Sequence, residues 1–344
     1  MKSDNKAYWL NHCFVIAELS ANHNHDIERA EQSIRVVADT GADAIKLQTY
    51  TADTMTIPCD NEFFRIKGTL WEGRTLHDLY QEAYTPWEWH ARLMGLANEL
   101  GLACFSTPFD ATAVDFLEKL NVPCHKVASF EVVDIPLLKK IASTRKPVIM
   151  STGMANLEEI AEAVRTLRDN GTEELALLKC TSSYPAPPEE ANLLTIPHLA
   201  SAFDCIAGLS DHTMGSAVAV AAVALGARIV EKHFTLSRAD GGPDSAFSME
   251  PAEFKQMVKD IRSAEAALGE VSYSLTEKEQ QSIVFRRSLF VVKDMKAGDV
   301  FTSENVRSIR PGQGLHPRFL DTVLGRCATR DIERGIPLDW SLMN

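Results

Sequence analysis

Eight short apolar runs, each followed by a small polar cluster and then an amphipathic stretch, recur along the first ~270 residues of this chain. The runs are FVIAEL (14–19), AIKLQ (44–48), LACFS (102–106), HKVAS (125–129), PVIMS (147–151), LALLKC (175–180), CIAGLS (205–210) and RIVEKHF (228–234). Between them lie helix-like segments such as IERAEQSIRVVADTG and NLEEIAEAVRTLRDNG, several ending in the glycine that suits a helix C-terminus. Strands that alternate with helices pair in parallel through right-handed crossovers. Eight such units in a stretch of this length predict a closed (β/α)8 TIM barrel. An open doubly wound sheet would want a glycine-rich first turn, and AELSANHNHD has no GxGxxG. The runs start 22 to 30 residues apart, except for a gap of 58 between the second and third. The aromatic, charged insertion there, around 55–83, is expected to act as a lid or flap over the barrel mouth.

The pattern changes near residue 270. We read 1–270 as the barrel, 271–284 as a polar linker and 285–344 as a small β-rich domain, dense in Gly and Pro, with turns at Lys296–Asp299 and Arg310–Gly314. Lys and Arg number 35 against 47 Asp and Glu, a net charge of 35 − 47 = −12, which argues against nucleic-acid or anionic-membrane partners. It does not argue against a small anion held by a few local lysines. No run approaches a signal h-region or a membrane span. The seven scattered cysteines contain no CxxC pair and read as reduced, mostly buried thiols. Together these features predict a cytoplasmic protein.

Polar residues gather at the ends of the runs, which in a barrel form the C-terminal mouth where active sites are built. Glu18, Lys46, Gln48, Thr107, Lys126, Ser129, Glu131, Ser151, Ser182, Tyr184, Ser210, Asp211, His212, Glu231 and His233 all fall there. His212 and His233 end neighbouring strands seven and eight, so their imidazoles could bind a divalent metal, with a carboxylate or waters completing the shell. Lys46 and Lys126 point at the same mouth from different strands. With Thr107, Ser129, Ser151 and Ser210 they make a phosphate and carboxylate cradle. A Schiff-base role for Lys126 is the rival reading.

The motifs IAELSANHNHD (16–26), AIKLQTY (44–50), STPFD (106–110), KVASFE (126–131), STGM (151–154), KCTSSYPAP (179–187), GLSDHT (208–213), EKHFTL (231–236) and GGPDSAFSMEP (241–251) occur in this order. The chain thereby resembles the sialic acid synthase family, the phosphoenolpyruvate-dependent nonulosonate synthases. Its tail, with RRSLF (286–290) and RPGQG (310–314), resembles the SAF, or antifreeze-like, domain of that family. ELSANHNH and FTLSRADGGPDSAFS look most like the pseudaminic acid branch. Ser182 stands where sialic acid synthases usually carry Asn against the N-acetylated sugar, which turns the resemblance away from N-acetylmannosamine.

The resemblance implies condensation of phosphoenolpyruvate with an open-chain amino sugar and water, releasing phosphate. For the pseudaminic branch the sugar is 2,4-diacetamido-2,4,6-trideoxy-L-altrose; other N-acetylated sugars, as in N-acetylneuraminate or legionaminate synthases, are the alternative. It further implies phosphoenolpyruvate on Lys46, Thr107, Lys126, Ser129, Ser151 and Ser210, and Glu18 as acid/base. Gln48, Phe109, Glu131, Ser182, Tyr184 and Asp244 would face the sugar. His212 and His233 would hold Mn²⁺, or Mg²⁺ or Co²⁺. Arg310 would reach the partner's site in a domain-swapped homodimer. An imine-forming aldolase, a sugar-phosphate synthase and a non-catalytic carbohydrate-binding protein are the competing classes.

Overall fold

Each barrel strand obeys a two-residue alternation that places one side chain inside the barrel and the next against the helices. The computed structural model describes residues 12–344. Eight parallel strands close on themselves in chain order: β1 Phe14–Glu18, β2 Ala44–Thr49, β3 Ala103–Pro108, β4 His125–Val127, β5 Val148–Ser151, β6 Leu175–Cys180, β7 Ile206–Asp211 and β8 Ile229–His233. The closing seam runs from Phe14 opposite Ile229 to Glu18 opposite His233. The eight apolar runs thus become the eight strands, with ends shifted by a residue or two. The chain divides into two compact units after Gly269.

Inward positions form an apolar floor of Phe14, Ile16, Phe105, Ile149, Leu178 and Ile229. Outward positions such as Val15, Ala17, Ile45 and Leu47 pack on the surrounding helices. Both faces are buried, so the strands read as continuous apolar runs rather than alternating ones. Gly208 is the inward exception. A Cβ there would stand 2.3 Å from the Ile229 carbonyl oxygen and 2.8 Å from Leu178, so only glycine lets β6 and β8 approach so closely. The helices follow from their caps and stripes. In Ile27–Thr40, Asp26 accepts from the Glu28 and Arg29 N–H groups, and Ala30, Ile34 and Val37 face the barrel. In Leu157–Asp169, Asn156 and Glu159 form a capping box.

The second unit is a separate small fold. Strands β9 Ser288–Val291 and β10 Val306–Ile309 pair antiparallel around a core that includes Leu289, Phe301 and Leu338. Lys296 and Asp299 close the first turn, with the Asp299 N–H on the Lys296 carbonyl at 3.0 Å. Among the described residues no helix is long and apolar enough to cross a membrane.

Two charges lie on the outer face of the barrel wall. Lys232 Nζ sits 2.6 Å from Asp211 Oδ2 and 2.6 Å from the Thr213 carbonyl, and both side chains are almost wholly buried. Such a pair is weak evidence of net stabilisation, but breaking it strands a buried carboxylate. Lys232→Met is expected to cost about 3–5 kcal/mol in urea unfolding, and the double variant with Asp211→Leu to recover most of that loss. A single variant as stable as the parent would show that the pair does not hold β7 to β8.

Candidate active site

The inward alternation that lays the apolar floor continues upward as a polar layer. From Ile16 it reaches Glu18; from Ala44, Lys46 and Gln48; from Phe105, Thr107; from Cys124, Lys126; from Ile149, Ser151; from Leu178, Cys180; from Gly208, Ser210; and from Ile229, Glu231 and His233. Several of these residues therefore belong to the barrel interior itself, below the mouth loops.

Lys46 and Lys126 are buried, and Glu231 lies between them. Its Oε1 is 3.6 Å from Lys46 Nζ and 3.7 Å from Lys126 Nζ. Lys46 also sits 2.5 Å from Glu18 and donates to Thr107 Oγ1 at 3.1 Å, while Lys126 donates to Ser151 Oγ at 2.7 Å. Burial opposes charge on all four groups, and they resolve it differently. Burial raises the Glu18 carboxyl more than Lys46 lowers it. For Glu231 burial also pushes upward, but Lys126 and Lys46 outweigh it and hold the group below its ordinary value. Lys126 is lowered by burial, whereas for Lys46 burial is overcome by Glu18 and Glu231. Two lysines and two carboxylates thus share one buried interior, with Lys46 tied to Glu18 and both lysines beside Glu231.

Hydroxyl groups line the side of this interior. Ser210 Oγ lies 3.4 Å from Glu231 Oε1. The Gly153 N–H donates to Ser129 Oγ at 3.0 Å. A Cβ on Gly153 would stand 2.3 Å from Ser182 Oγ and 2.8 Å from Ser129 Oγ, so glycine lets the two serines converge.

Above them stand the histidines, with ring centroids 5.4 Å apart. His212 Nδ1 is 2.9 Å from the Thr181 carbonyl oxygen, which can only accept, so Nδ1 carries a proton and Nε2 is the nitrogen left to face a ligand. His233 Nδ1 is buried without a partner, and burial, then His212 and Lys46, drive that ring well below its ordinary value and keep it neutral. Two imidazoles with free nitrogens fit a divalent metal. Among the described residues no group of three or more His, Cys, Asp or Glu side chains is placed to hold an ion, so the two histidines stand without a ready-made third side-chain ligand of that kind. The wall beside them is aromatic: Tyr184 lies 4.3 Å from the His212 ring, and Phe247 lies 5.0 Å from both Tyr184 and His233.

Around the rim, Gln48 Nε2 donates to Glu18 Oε1 at 3.1 Å and to Ser20 Oγ at 3.0 Å, and Ser20 donates to Asp244. Phe109 packs 5.2 Å from Tyr50. Glu131 keeps a buried, unpartnered Oε2, and burial pushes it up to about 7 against the pull of Lys126. The 55–83 insertion reaches this rim. The Trp71 indole N–H donates to the Pro243 carbonyl at 3.0 Å with its ring 6.0 Å from Tyr184, and Tyr80 lies 5.7 Å from Tyr50. Arg310 is exposed at the end of β10 in the second unit. The structure thus gathers the barrel residues named from sequence into one contiguous mouth. It adds groups to which sequence reasoning gave no role: Glu231, Cys180, Ser20 and Phe247. Glu231 was visible at the end of its run, and counting by twos from Ile229 places it inside the barrel with the lysines; Phe247 had no signal, since it lies outside any strand.

Fold and mouth together define a (β/α)8-barrel protein with two buried lysines and two buried glutamates beneath a pair of histidines. The chain belongs to the NeuB family, whose model matches residues 33–273, and residues 286–342 match the SAF domain. It is 46% identical over 328 residues to a pseudaminic acid synthase of Campylobacter jejuni subsp. jejuni serotype O:23/36, covering 95% of this chain and 96% of that protein. An N,N'-diacetyllegionaminic acid synthase of Campylobacter jejuni subsp. jejuni serotype O:2 is 38% identical, covering 92% and 96%. Among solved structures, the N-acetylneuraminic acid synthetase of Leptospira borgpetersenii serovar Hardjo-bovis in complex with citrate superposes with a TM-score of 0.71 at 32% identity, covering 79% of this chain and 90% of that one.

The close approach at Gly153 can be tested directly. Gly153→Ala is expected to lower turnover by about tenfold or more by pushing the two serines aside, a displacement of the size that costs catalysis dearly. Ser182→Gly in the same chain should restore part of that loss. Full activity of Gly153→Ala in steady-state kinetics would exclude the serine pair from the site.

Proposed function

We propose that this chain condenses phosphoenolpyruvate with 2,4-diacetamido-2,4,6-trideoxy-L-altrose and water, giving pseudaminic acid and phosphate. The observation that carries the reading is the pair of buried lysines sharing Glu231 directly below two histidines. It is supported by the greater likeness to a pseudaminic acid synthase, 46%, than to a legionaminic acid synthase, 38%.

Lys46, Lys126, Thr107, Ser129, Ser151 and Ser210 take the phosphate and carboxylate of phosphoenolpyruvate. Their charge is set in advance by burial and by Glu231, so little reorganises when the anion enters. The Lys126 ammonium is held between Ser151 and the Val127 carbonyl, at 2.7 Å and 3.0 Å, which suits an ionic clamp better than imine formation. His212 and His233 would hold the divalent metal, Mn²⁺ before Mg²⁺ or Co²⁺, which supplies polarisation of the aldehyde oxygen when bound. Gln48, Phe109, Glu131, Ser182, Tyr184 and Asp244 orient the sugar so that its aldehyde carbon meets carbon 3 of phosphoenolpyruvate. Water adds at carbon 2, and the bond from carbon 2 to the phosphate oxygen breaks. Glu18, whose carboxyl burial raises to about 7, takes one proton of that water and passes it to the oxygen that was the aldehyde's, while the other proton leaves with the phosphate.

Ser182 offers one short hydroxyl where an amide would reach further, and Tyr184 with Phe247 presents an apolar wall suited to a 6-methyl group. A buried 6-hydroxyl would find no partner on that wall. The seven cysteines are all free, in keeping with a reducing, cytoplasmic setting.

Phosphate release from phosphoenolpyruvate across a panel of amino sugars tests the reading. The 2,4-diacetamido-6-deoxy sugar is expected to exceed N-acetylmannosamine in kcat/KM by about a hundredfold. EDTA should abolish turnover and Mn²⁺ restore it, with His212→Ala and His233→Ala inactive but folded. Equal use of both sugars would overturn the sugar assignment, and full activity after exhaustive chelation the metal. A reducible adduct on Lys126 would support the aldolase instead.

We further propose that the protein works as a domain-swapped homodimer in which Arg310 serves the partner's barrel. The RPGQG loop presents it as an exposed guanidinium. Mixing inactive His233→Ala with inactive Arg310→Ala under subunit exchange should regain partial activity. No recovery in verified heterodimers would place the arginine in its own chain's site or in none.

A further inference from the structure

We propose that Ser20 is a positioning residue for the amino-sugar substrate, holding the Asp244 carboxylate and the Gln48 amide in one fixed relation at the barrel mouth. The inference rests on the sugar-condensing reading above.

Ser20 lies two residues beyond Glu18, with its backbone in the left-handed region at φ 48° and its side chain buried. Few residues other than glycine, asparagine and aspartate occupy that region readily, because the Cβ crowds the neighbouring carbonyl. A serine there keeps its Cβ at a conformational cost, so the hydroxyl it carries must return something. That hydroxyl donates to Asp244 Oδ2 and accepts from Gln48 Nε2 at 3.0 Å. A hydroxyl can donate and accept at one atom, which is what a bridge between a carboxylate and an amide N–H requires. The Gln48 amide in turn donates to Glu18 Oε1 at 3.1 Å. A single oxygen therefore joins the rim carboxylate at Asp244 to the acid/base at Glu18.

The surrounding loops do not need this bridge to stay together. Asn22 Nδ2 donates to the Phe234 carbonyl at 2.8 Å and to Ser248 Oγ at 2.9 Å, and Asn24 Nδ2 donates to the Gly241 carbonyl at 3.3 Å. Ser248 Oγ donates to the Asp244 carbonyl at 2.6 Å, fixing that residue's main chain. What remains for Ser20 is the aim of the Asp244 and Gln48 side chains. Removing its hydroxyl leaves Gln48 held by Glu18 and the Asp244 carboxylate by the Ala21 N–H but unlinks the two side chains from each other, while the loops stay docked, and the loss falls on the ligand that they face.

The experiment uses the full chain, with phosphoenolpyruvate and whichever amino sugar of the panel the parent turns over best. Ser20→Gly deletes the hydroxyl and also relieves the left-handed backbone. It should raise the sugar KM by about tenfold or more, leave the phosphoenolpyruvate KM within about twofold, and not lower Tm. Ser20→Ala should show the same split between substrates with a lower Tm. Combined with Asp244→Asn, Ser20→Gly should cost much less than the product of the two separate losses, because it acts through Asp244. A sugar KM within about twofold of the parent, or losses equal for both substrates, would overturn the proposal while leaving the reaction assignment standing. A parent that turns over no amino sugar would overturn both.

Discussion

Two lysines and two glutamates sealed inside an eight-stranded barrel set the terms for everything above and below them. Each charge taken from water costs several kcal/mol unless partners replace the solvent. Here the replacement is mutual: Glu231 lies within 4 Å of both ammonium groups, and Glu18 pairs with Lys46. The barrel supplies these partners because parallel strands place inward residues of neighbouring strands side by side. Glu18 stands opposite Lys46 in the register of β1 and β2, and opposite His233 in that of β1 and β8. The apolar floor of Phe14, Phe105, Ile149 and Leu178 lies beneath this charged layer, on the side away from the mouth.

That arrangement couples the site vertically. The charged layer lies at the bottom, the histidine pair stands above it, and the rim of Gln48, Ser20 and Asp244 is linked by hydrogen bonds back to Glu18. The 55–83 insertion meets the same rim through Trp71 and Tyr80, bringing an apolar wall to one side of the mouth. A small, highly charged ligand at the bottom and a larger, partly apolar one at the top is the pairing that this gradient of polarity favours. It is the pairing the proposed condensation uses.

Cost and function are visible at the same residues. Ser20 holds a left-handed backbone, Gly153 admits two serines closer than any Cβ would allow, and Glu131 and His233 keep buried atoms without partners. Such local violations concentrate where a ligand completes the missing contacts. On the outer face of the barrel wall, Asp211 is held by Lys232 and by the Thr213 N–H and hydroxyl.

The sequence by itself determined the architecture and most of the site. Eight apolar runs at near-regular spacing admit few topologies, and residues at the ends of parallel strands must share one face, so Lys46, Lys126, His212 and His233 could be brought together before any coordinates. Family motifs gave Glu131, Tyr184 and Asp244 their sugar-facing role and alone pointed to Asp244, which lies outside any strand. Only the tertiary structure decided what depends on register and on distance across the barrel. It placed Glu231 between two lysines and gave Ser20 its bridge from Gln48 to Asp244. Strand periodicity tells which face a side chain takes, whereas charge balance and hydrogen bonding depend on ångström separations between segments far apart in the chain.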